Sequence, residues 1–253
     1  MMKSKVNHTP KRPPVLITGS IDLTKVIPIR EKQKFSTPFG VAEGYKSDHC
    51  WVIQRHGADN RTPPHRINHQ ANLAAAKEIG SFVVAIGSVG SIDPDAPPGA
   101  LAIPDDIFAP IHIDTICSDE ERIHVVPEFD ARLRKLIVDE FSFAEIEFID
   151  GGTYAQTTGP RFESRAEITW LGEYAHFVGM TCASELTIAC ELQLPYALLV
   201  SVDNWANGLG QKPLTMEEFL MGVATNHERV CAAVEVLLPA LKRAGENGLG
   251  SAS

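Results

Sequence analysis

Short apolar runs alternate with longer amphipathic stretches along most of the chain, and this alternation is typical of α/β proteins. The apolar runs end at glycine or polar residues and predict buried strands. The predicted core strands cover residues 15–19, 50–57, 82–86 and 195–204. The glycine-rich residues 87–91 are expected to be a loop after the third of these strands, and the fourth strand is expected to break at Asp203 and Asn204.

The amphipathic stretches predict helices between these strands. In residues 67–80 apolar positions recur at spacings of three and four, and Gly80 ends the pattern. Similar patterns predict helices over residues 127–141, after Glu167 to about Tyr174, before Leu192 and over residues 213–245. The order strand, helix, strand predicts a mostly parallel sheet that helices cover on both sides.

Length and composition fit one folded domain. The 253 residues are 44% hydrophobic and no linker divides them, so we expect one domain over residues 13–243 and flexible tails at 1–12 and 244–253. Five cysteines without a CxxC pair favour a reducing cytoplasm. The net charge of −9 argues against a nucleic-acid partner, and no apolar run approaches the roughly 18 residues of a membrane span.

Polar residues and glycines follow three of the predicted strands. Ser20 follows the first strand, Arg55 and His56 end the second, and Gly87 and Ser88 follow the third. Ligands of open α/β sheets bind beyond the carboxyl ends of the strands. A strand-end glycine with a hydroxyl can offer N–H and O–H donors to an anion, so these strand ends favour a ligand site. The alternative is a surface ion pair for Arg55 and a satisfied position at the sheet edge for His56.

Two other polar groups are expected to have structural roles. Asp105 and Asp106 could bind a metal, but no histidine or third carboxylate lies at ligand spacing, so turn hydrogen bonds are favoured. His227 lies on the apolar stripe of the last predicted helix. There a buried, hydrogen-bonded histidine is favoured over a ligand.

The segment TTGPRFESRAE, residues 157–167, has two possible interpretations. The Gly159–Pro160 step bends the chain sharply, and Phe162 follows where a helix could begin. A loop over a ligand and an ordinary turn before an amphipathic helix both fit this pattern. Glu163 could orient a ligand through water, or it could cap its own helix.

Four motifs together resemble the trimeric purine nucleoside phosphorylase and 5'-methylthioadenosine phosphorylase family. They are QRHG, INHQAN, GGTY with GPRFESRAE, and VGMTCASE. The resemblance covers about residues 15–242. It implies a single α/β domain with a mixed central sheet, reversible phosphorolysis of purine nucleosides with inorganic phosphate as co-substrate, no metal or redox cofactor, and a homotrimer or dimer of trimers.

The resemblance also implies a role for each matching residue. It assigns phosphate binding to Ser20, Arg55, His56, Gly87, Ser88 and Thr181. It assigns base and ribose binding to Val89, Gly90, Phe162, Met180, Asn204 and Met216. Asn204, which matches the residue that contacts purine N7, and His56 are the implied catalytic residues.

Three positions differ from patterns of related members and suggest the substrate. Adenosine-type members carry two aspartates where this chain has Asn204 and Ala206, and NWANGL resembles the pattern of members that act on 6-oxopurines. Met216 replaces a histidine that binds the 5'-hydroxyl, and a thioether packs well against a methylthio group. We therefore expect a 6-oxopurine nucleoside with a 5'-methylthio group, such as 5'-methylthioinosine.

Other departures leave alternatives open. The first loop, ITGSIDL, lacks a second glycine, and Asp203 could enter the base pocket if the register shifts by one residue. His124 resembles a histidine that a neighbouring subunit contributes. The alternatives are a 5'-methylthioadenosine phosphorylase, a nucleosidase that uses water, and a catalytically inactive nucleoside-binding homologue.

Overall fold

The computed structural model describes residues 11–117 and 124–249, and within these ranges the chain forms a mixed sheet of eleven strands. The strands are β1 Val15–Thr18, β2 Glu31–Thr37, β3 Gly40–Lys46, β4 Trp51–Gln54, β5 Val83–Ser91, β6 Leu101–Ile103, β7 Asp106–Phe108, β8 Ile149–Asp150, β9 Thr153–Gln156, β10 Phe177–Gly179 and β11 Tyr196–Trp205. The helices are α1 His69–Ile79, α2 Ala131–Phe143, α3 Arg165–Leu171, α4 Cys182–Glu191 and α5 Met216–Asn247.

The centre of the sheet is parallel, and its margins are mixed. Strand β1 pairs in parallel with β4 and β5, and β5 pairs in parallel with β11. Strand β10 pairs antiparallel with β5, and β2, β3 and β4 form antiparallel pairs. The prediction of an α/β domain with a mixed central sheet is confirmed.

Helices cover the two faces of the sheet because alternate strand residues point to opposite sides. Val15 and Ile17 of β1 belong to one buried cluster, which includes the apolar side chains of α1 and α4. Leu16, between them, belongs to a second cluster with the apolar side chains of α2 and α5. The central strands are thus buried on both sides, which explains their continuous apolar runs.

Two predicted strand ends are wrong. Strand β5 does not break at Gly87 but continues to Ser91, because β11 pairs with it along its whole length. Strand β11 does not break at Asp203 and Asn204 but continues to Trp205 with an irregular register between Val202 and Asn204. Pairing within the sheet satisfies the backbone groups that a loop would have left to water.

The last helix passes the predicted domain boundary at residue 243. Helix α5 continues to Asn247, and Gly245 is buried where a Cβ atom would lie 2.7 Å from the carbonyl oxygen of Arg12. The Arg12 guanidinium in turn donates to the carbonyl of Glu78 at 2.7 Å. Residues 11–12 and 244–247 are thus packed against the rest of the described chain. The predicted tails at 1–10 and 250–253 lie outside the described residues.

The polar residues with expected structural roles have local partners. An Asp105 oxygen accepts the N–H of Gly152 at 2.9 Å, and an Asp106 oxygen accepts the N–H of Ile107 at 2.8 Å. A ring nitrogen of the half-buried His227 lies 2.7 Å from the carbonyl oxygen of Asp22. None of the helices in the described ranges is long and apolar enough to cross a membrane.

Candidate active site

A cavity of about 450 Å³ opens at the carboxyl ends of the central strands. Eleven of the twelve residues that the resemblance implicates line it: Ser20, Arg55, His56, Ser88, Val89, Gly90, Phe162, Met180, Thr181, Asn204 and Met216. Gly87 does not line it, because its side-chain position faces Cys182 and Val200 inside the sheet. The cavity therefore joins groups that lie more than 190 residues apart in the sequence.

Arg55 lies at the inner end of the cavity and is almost fully buried. Its Nε and Nη2 atoms donate to the two carboxylate oxygens of Glu185 at 2.5 and 2.8 Å, and Nη1 donates to the carbonyl of Ile86 at 2.9 Å. A Cβ atom on Gly19 would lie 2.7 Å from Nη1, so glycine there leaves room for the guanidinium. Arg55 is a rigid donor with one N–H of Nη1 left for a ligand.

Glu185 is ionised although it is buried. Burial alone would raise the pKa of its carboxyl group, but the Arg55 guanidinium beside it lowers that pKa to about 2. Tyr196 adds a hydroxyl that donates to Glu185 at 2.8 Å. The pair of Arg55 and Glu185 therefore carries no net charge at neutral pH.

His56 follows Arg55 and is half-buried at the cavity wall. Its Nδ1 atom lies 2.7 Å from the carbonyl oxygen of Thr62, which can only accept, so the neutral ring carries its proton on Nδ1. Burial lowers the pKa of His56, and the backbone hydrogen bond opposes that effect only in part. The Nε2 atom of the neutral ring is then an acceptor.

Asp203 joins three elements that border the cavity but does not line the cavity itself. Its carboxylate accepts from the hydroxyls of Ser88 and Ser201, the latter at 2.6 Å, and from the amide of Asn226 at 2.7 Å. Burial raises the pKa of Asp203. These bonds link β5, β11 and α5 at the point where the irregular register turns Asn204 toward the cavity.

Asn204 reaches the cavity beside Gly90 of the neighbouring strand. Its Nδ2 atom donates to the carbonyl of Trp205 at 2.8 Å, and a Cβ atom on Gly90 would lie 3.0 Å from Nδ2. Glycine at position 90 therefore keeps the amide accessible. The side chain that enters the cavity here is therefore that of Asn204 and not that of Asp203.

The loop before α3 forms the opposite wall, with Phe162 and Glu163 facing the cavity. Glu163 is 5% exposed, and one of its oxygens accepts the hydroxyl of Thr157 at 2.5 Å. Burial raises the pKa of Glu163. The capping role considered for Glu163 belongs to other residues, because Ser164 and Glu167 form the capping box of α3.

Thr181 and the start of α4 lie at the inner end of the cavity. The hydroxyl of the buried Tyr154 accepts the backbone N–H groups of Thr181 and Cys182, each at 3.2 Å. Thr181 precedes the helix, and its side chain makes no capping bond. Its hydroxyl lies 3.4 Å from the Sγ atom of Cys182, from which it can accept, so it can donate to a ligand in the cavity at the positive end of a helix dipole.

The cavity mouth is apolar on the side of α5. The contributing side chains are those of Leu214, Met216, Phe219 and Leu220. Phe219 lies with its ring centroid 6.1 Å from that of Phe162, so this wall joins the loop before α3. Met216 is the first residue of α5 and is 59% exposed.

Comparison with known proteins identifies the family. The family model described as the phosphorylase superfamily matches residues 19–239. The chain belongs to the phosphorylase superfamily. A probable 6-oxopurine nucleoside phosphorylase of Archaeoglobus fulgidus is 37% identical over 217 residues, which are 83% of this chain and 89% of that relative. A probable S-methyl-5'-thioinosine phosphorylase of Methanocaldococcus jannaschii is 30% identical over 87% of this chain and 89% of its own length.

A solved structure of similar fold is methylthioadenosine phosphorylase from Schistosoma mansoni in complex with adenine. It matches with a TM-score of 0.78 at 19% identity and covers 94% of this chain and 98% of its own. At that identity the match shows the fold. The family resemblance drawn from the sequence motifs is confirmed.

Sequence reasoning about this phosphorylase missed the partners of Arg55. Glu185 lies within VGMTCASE, but no role was inferred for it, and Tyr196 was not considered. One signal was available, because Glu185 is a lone charged residue in an otherwise apolar stretch, where buried charges are usually paired. Among the described residues, no three His, Cys, Asp or Glu side chains group as a metal site.

Proposed function

We propose that this protein is a purine nucleoside phosphorylase that cleaves the N-glycosidic bond with inorganic phosphate, giving a free purine and a pentose 1-phosphate. The observation that carries this proposal is one cavity with two chemically different ends. Arg55, His56 and Thr181 at one end suit an anion, and Phe162 and Asn204 at the other suit a planar base. Membership of the phosphorylase superfamily supports the same reaction.

At the anion end, the fixed groups suit a phosphate held against the sugar. The remaining N–H of Arg55 and the hydroxyls of Ser20 and Thr181 donate to its oxygens. Neutral His56 offers Nε2 to a phosphate hydroxyl. Phosphate held at C1' stabilises the positive charge that develops on the sugar as the glycosidic bond breaks, and it then forms the new C–O bond at that carbon.

At the base end, Asn204 stabilises the departing purine. The purine leaves with the electron pair of the broken bond, and negative charge develops on its five-membered ring. An amide N–H aimed at N7 strengthens its hydrogen bond as that charge grows. A donor of this kind typically contributes about 3 kcal/mol to transition-state stabilisation.

The pairing of Asn204 with Glu163 favours a 6-oxopurine. Such a base presents an N1–H donor, then the O6 and N7 acceptors, along one edge. An ionised Glu163 can accept the N1–H while the Asn204 amide donates to O6 or N7. Adenine presents an N1 acceptor instead, and a carboxylate facing it would leave both groups without a donor.

The apolar mouth favours a nucleoside with an apolar 5'-substituent. Met216, Phe219 and Leu220 present no strong hydrogen-bonding group to a 5'-hydroxyl. A methylthio group would bury apolar surface against them. We therefore propose 5'-methylthioinosine as the preferred substrate. The second candidate is its 6-aminopurine analogue, 5'-methylthioadenosine, because a methylthioadenosine phosphorylase has the same fold.

The decisive test is release of hypoxanthine from 5'-methylthioinosine with and without phosphate. We expect release only with phosphate, together with a pentose 1-phosphate in equal amount. Release without phosphate would favour a nucleosidase. Binding of the nucleoside without release under either condition would favour an inactive binding homologue.

Other features of the proposal follow from the family resemblance. We propose inorganic phosphate as the co-substrate with no metal or redox cofactor, a homotrimer or dimer of trimers, and a cytoplasmic role in purine salvage. His124 is exposed, as a residue offered to a neighbouring subunit would be. Light scattering on the eluting protein would test the assembly.

A further inference from the structure

The fixed groups at the anion end of the cavity have no net positive charge. Arg55 is neutralised by the bidentate pair with Glu185, whose pKa of about 2 keeps the carboxylate ionised. Burial lowers the pKa of His56, so its ring is neutral near pH 7. The site must nevertheless hold phosphate, which carries up to two negative charges, in a protein whose net charge is −9.

Arg61 is the cation among the described lining residues that is not held in a close ion pair. Its side chain is 85% exposed, and its Nε atom lies 3.8 Å from Asp59, which is itself 64% exposed. An exposed contact at that distance holds a side chain only weakly. The guanidinium is therefore free to move at the mouth of the cavity.

The loop backbone keeps Arg61 next to the anion end. The N–H of Thr62 donates to the carbonyl of His56 at 3.0 Å, and the carbonyl of Thr62 faces the His56 ring at 2.7 Å. The backbone N–H of Arg61 donates to Asp59 at 3.2 Å. The backbone of Arg61 thus lies one residue before Thr62, whose carbonyl contacts the His56 ring. From this position the long side chain of Arg61 can extend over the cavity.

We infer that Arg61 is a phosphate-binding residue whose guanidinium folds over the cavity mouth and supplies the net positive charge that Arg55 and His56 lack. The inference rests on the proposed phosphorolysis for the identity of the anion. The nucleoside is a poorer partner for Arg61 than phosphate, because it carries no net charge. Arg55 then fixes the orientation of phosphate, and Arg61 captures it.

The test compares Arg61→Ala with Arg61→Lys and the control Arg66→Ala. Arg66 is an exposed arginine five residues later in a short 3-10 helix and does not line the cavity, so its loss changes the net charge equally. We expect the KM for phosphate to rise about tenfold or more in Arg61→Ala, with the KM for the nucleoside nearly unchanged. Arg61→Lys should recover part of the loss, and Arg66→Ala should match the wild type.

Ionic strength gives a second measure. The KM for phosphate should rise with added sodium chloride in the wild type and rise less in Arg61→Ala, because salt screens exposed charges most strongly. An unchanged KM for phosphate in Arg61→Ala would overturn the inference. An equal effect of Arg66→Ala, or a rise confined to the KM for the nucleoside, would also overturn it.

Calorimetric titration with inorganic phosphate separates this inference from the proposed function. If the wild type binds phosphate without any turnover and Arg61→Ala weakens that binding, the proposed function fails and the inference stands. If Arg61→Ala binds phosphate as the wild type does, the inference fails whatever the activity.

Discussion

Glu185 shows how a single residue prepares the site. It is fully buried and carries its charge because Arg55 lies against both of its oxygens. Removing one member of such a pair leaves the other charge buried without a partner, and the loss is typically about 3–5 kcal/mol. The same contact fixes the guanidinium that faces the cavity, so the stability of the fold and the geometry of the proposed phosphate site depend on one pair.

We expect Glu185→Gln to lower the free energy of unfolding by about 3–5 kcal/mol at pH 7. The folded-state pKa of Glu185 is lowered from 4.5 to about 2, so the stabilisation is fully present above pH 4.5 and is lost as the pH falls toward 2. Urea unfolding of both proteins from pH 7 downward should show the difference shrink below pH 4.5. Asp139→Asn, which removes an exposed ion pair with Lys135, is the control and should cost under about 1 kcal/mol.

In the proposed function, Glu163 would give the site a pH-dependent choice of base. Burial raises its pKa, so the carboxyl group is protonated up to a higher pH than an ordinary glutamate. The protonated acid donates to N1 of an aminopurine, whereas the carboxylate accepts N1–H of a 6-oxopurine. We expect the ratio of kcat/KM for methylthioinosine over methylthioadenosine to rise with pH as Glu163 ionises.

Measuring both substrates at each pH cancels the titration of phosphate itself. The Glu163→Gln variant keeps the shape of the side chain but cannot ionise, so its ratio should stay flat with pH. A wild-type ratio that stays as flat with pH as that of Glu163→Gln would contradict this role.

At the scale of elements, helix α5 fixes strand β11. A Cβ atom on Gly222 would overlap the backbone carbonyl of Asp203, and Asn226, one turn later, donates to the carbonyl of Val202 at 2.9 Å. This close crossing holds the irregular stretch of β11 from which Asn204 faces the cavity. The position of the Asn204 amide therefore depends on a glycine on the neighbouring helix.

We expect Gly222→Ala to lower the melting temperature, although alanine is the better helix former by about 1 kcal/mol. Forcing the helix away from β11 should cost more than that, about 1–3 kcal/mol for an overpacked contact. Activity should fall with it, because Asn204 moves. The control Ala224→Gly, at an exposed position of the same turn, measures the difference in helix propensity between alanine and glycine without a change in the contact with β11. A stabilised Gly222→Ala protein would contradict the close crossing.

The periodicity of the sequence predicted the helices well and the strand ends poorly. Helix α1 begins at His69, close to the predicted Ile67, because the apolar spacing of three and four is a local property. The extension of β5 through Gly87–Ser91 depends on pairing with β11, more than 100 residues away, which no local pattern contains. The same long-range pairing determined that Asn204 faces the cavity.

At the scale of the whole molecule, the order of strands and helices predicted that several strand ends meet at one site, and the structure added how the charges there balance. Arg55 and His56 were expected to hold phosphate, but their neutralisation by Glu185 and by burial follows only from the packed core. Arg61 belongs to no motif and lies in a polar loop, so nothing in the sequence distinguished it from other exposed arginines. The net charge of −9 makes this local balance important, since the molecule as a whole repels phosphate.

The most direct test of the account is a competition between two substrates. The purified protein, saturating phosphate and equal concentrations of 5'-methylthioinosine and 5'-methylthioadenosine are mixed, and hypoxanthine and adenine are measured as they appear. The initial ratio of the two bases equals the ratio of kcat/KM. We expect hypoxanthine to form at least about tenfold faster than adenine, because the 6-oxopurine makes one additional hydrogen bond to a charged group. Adenine formed as fast as hypoxanthine, or faster, would contradict the assignment of Asn204 and Glu163 to a 6-oxopurine.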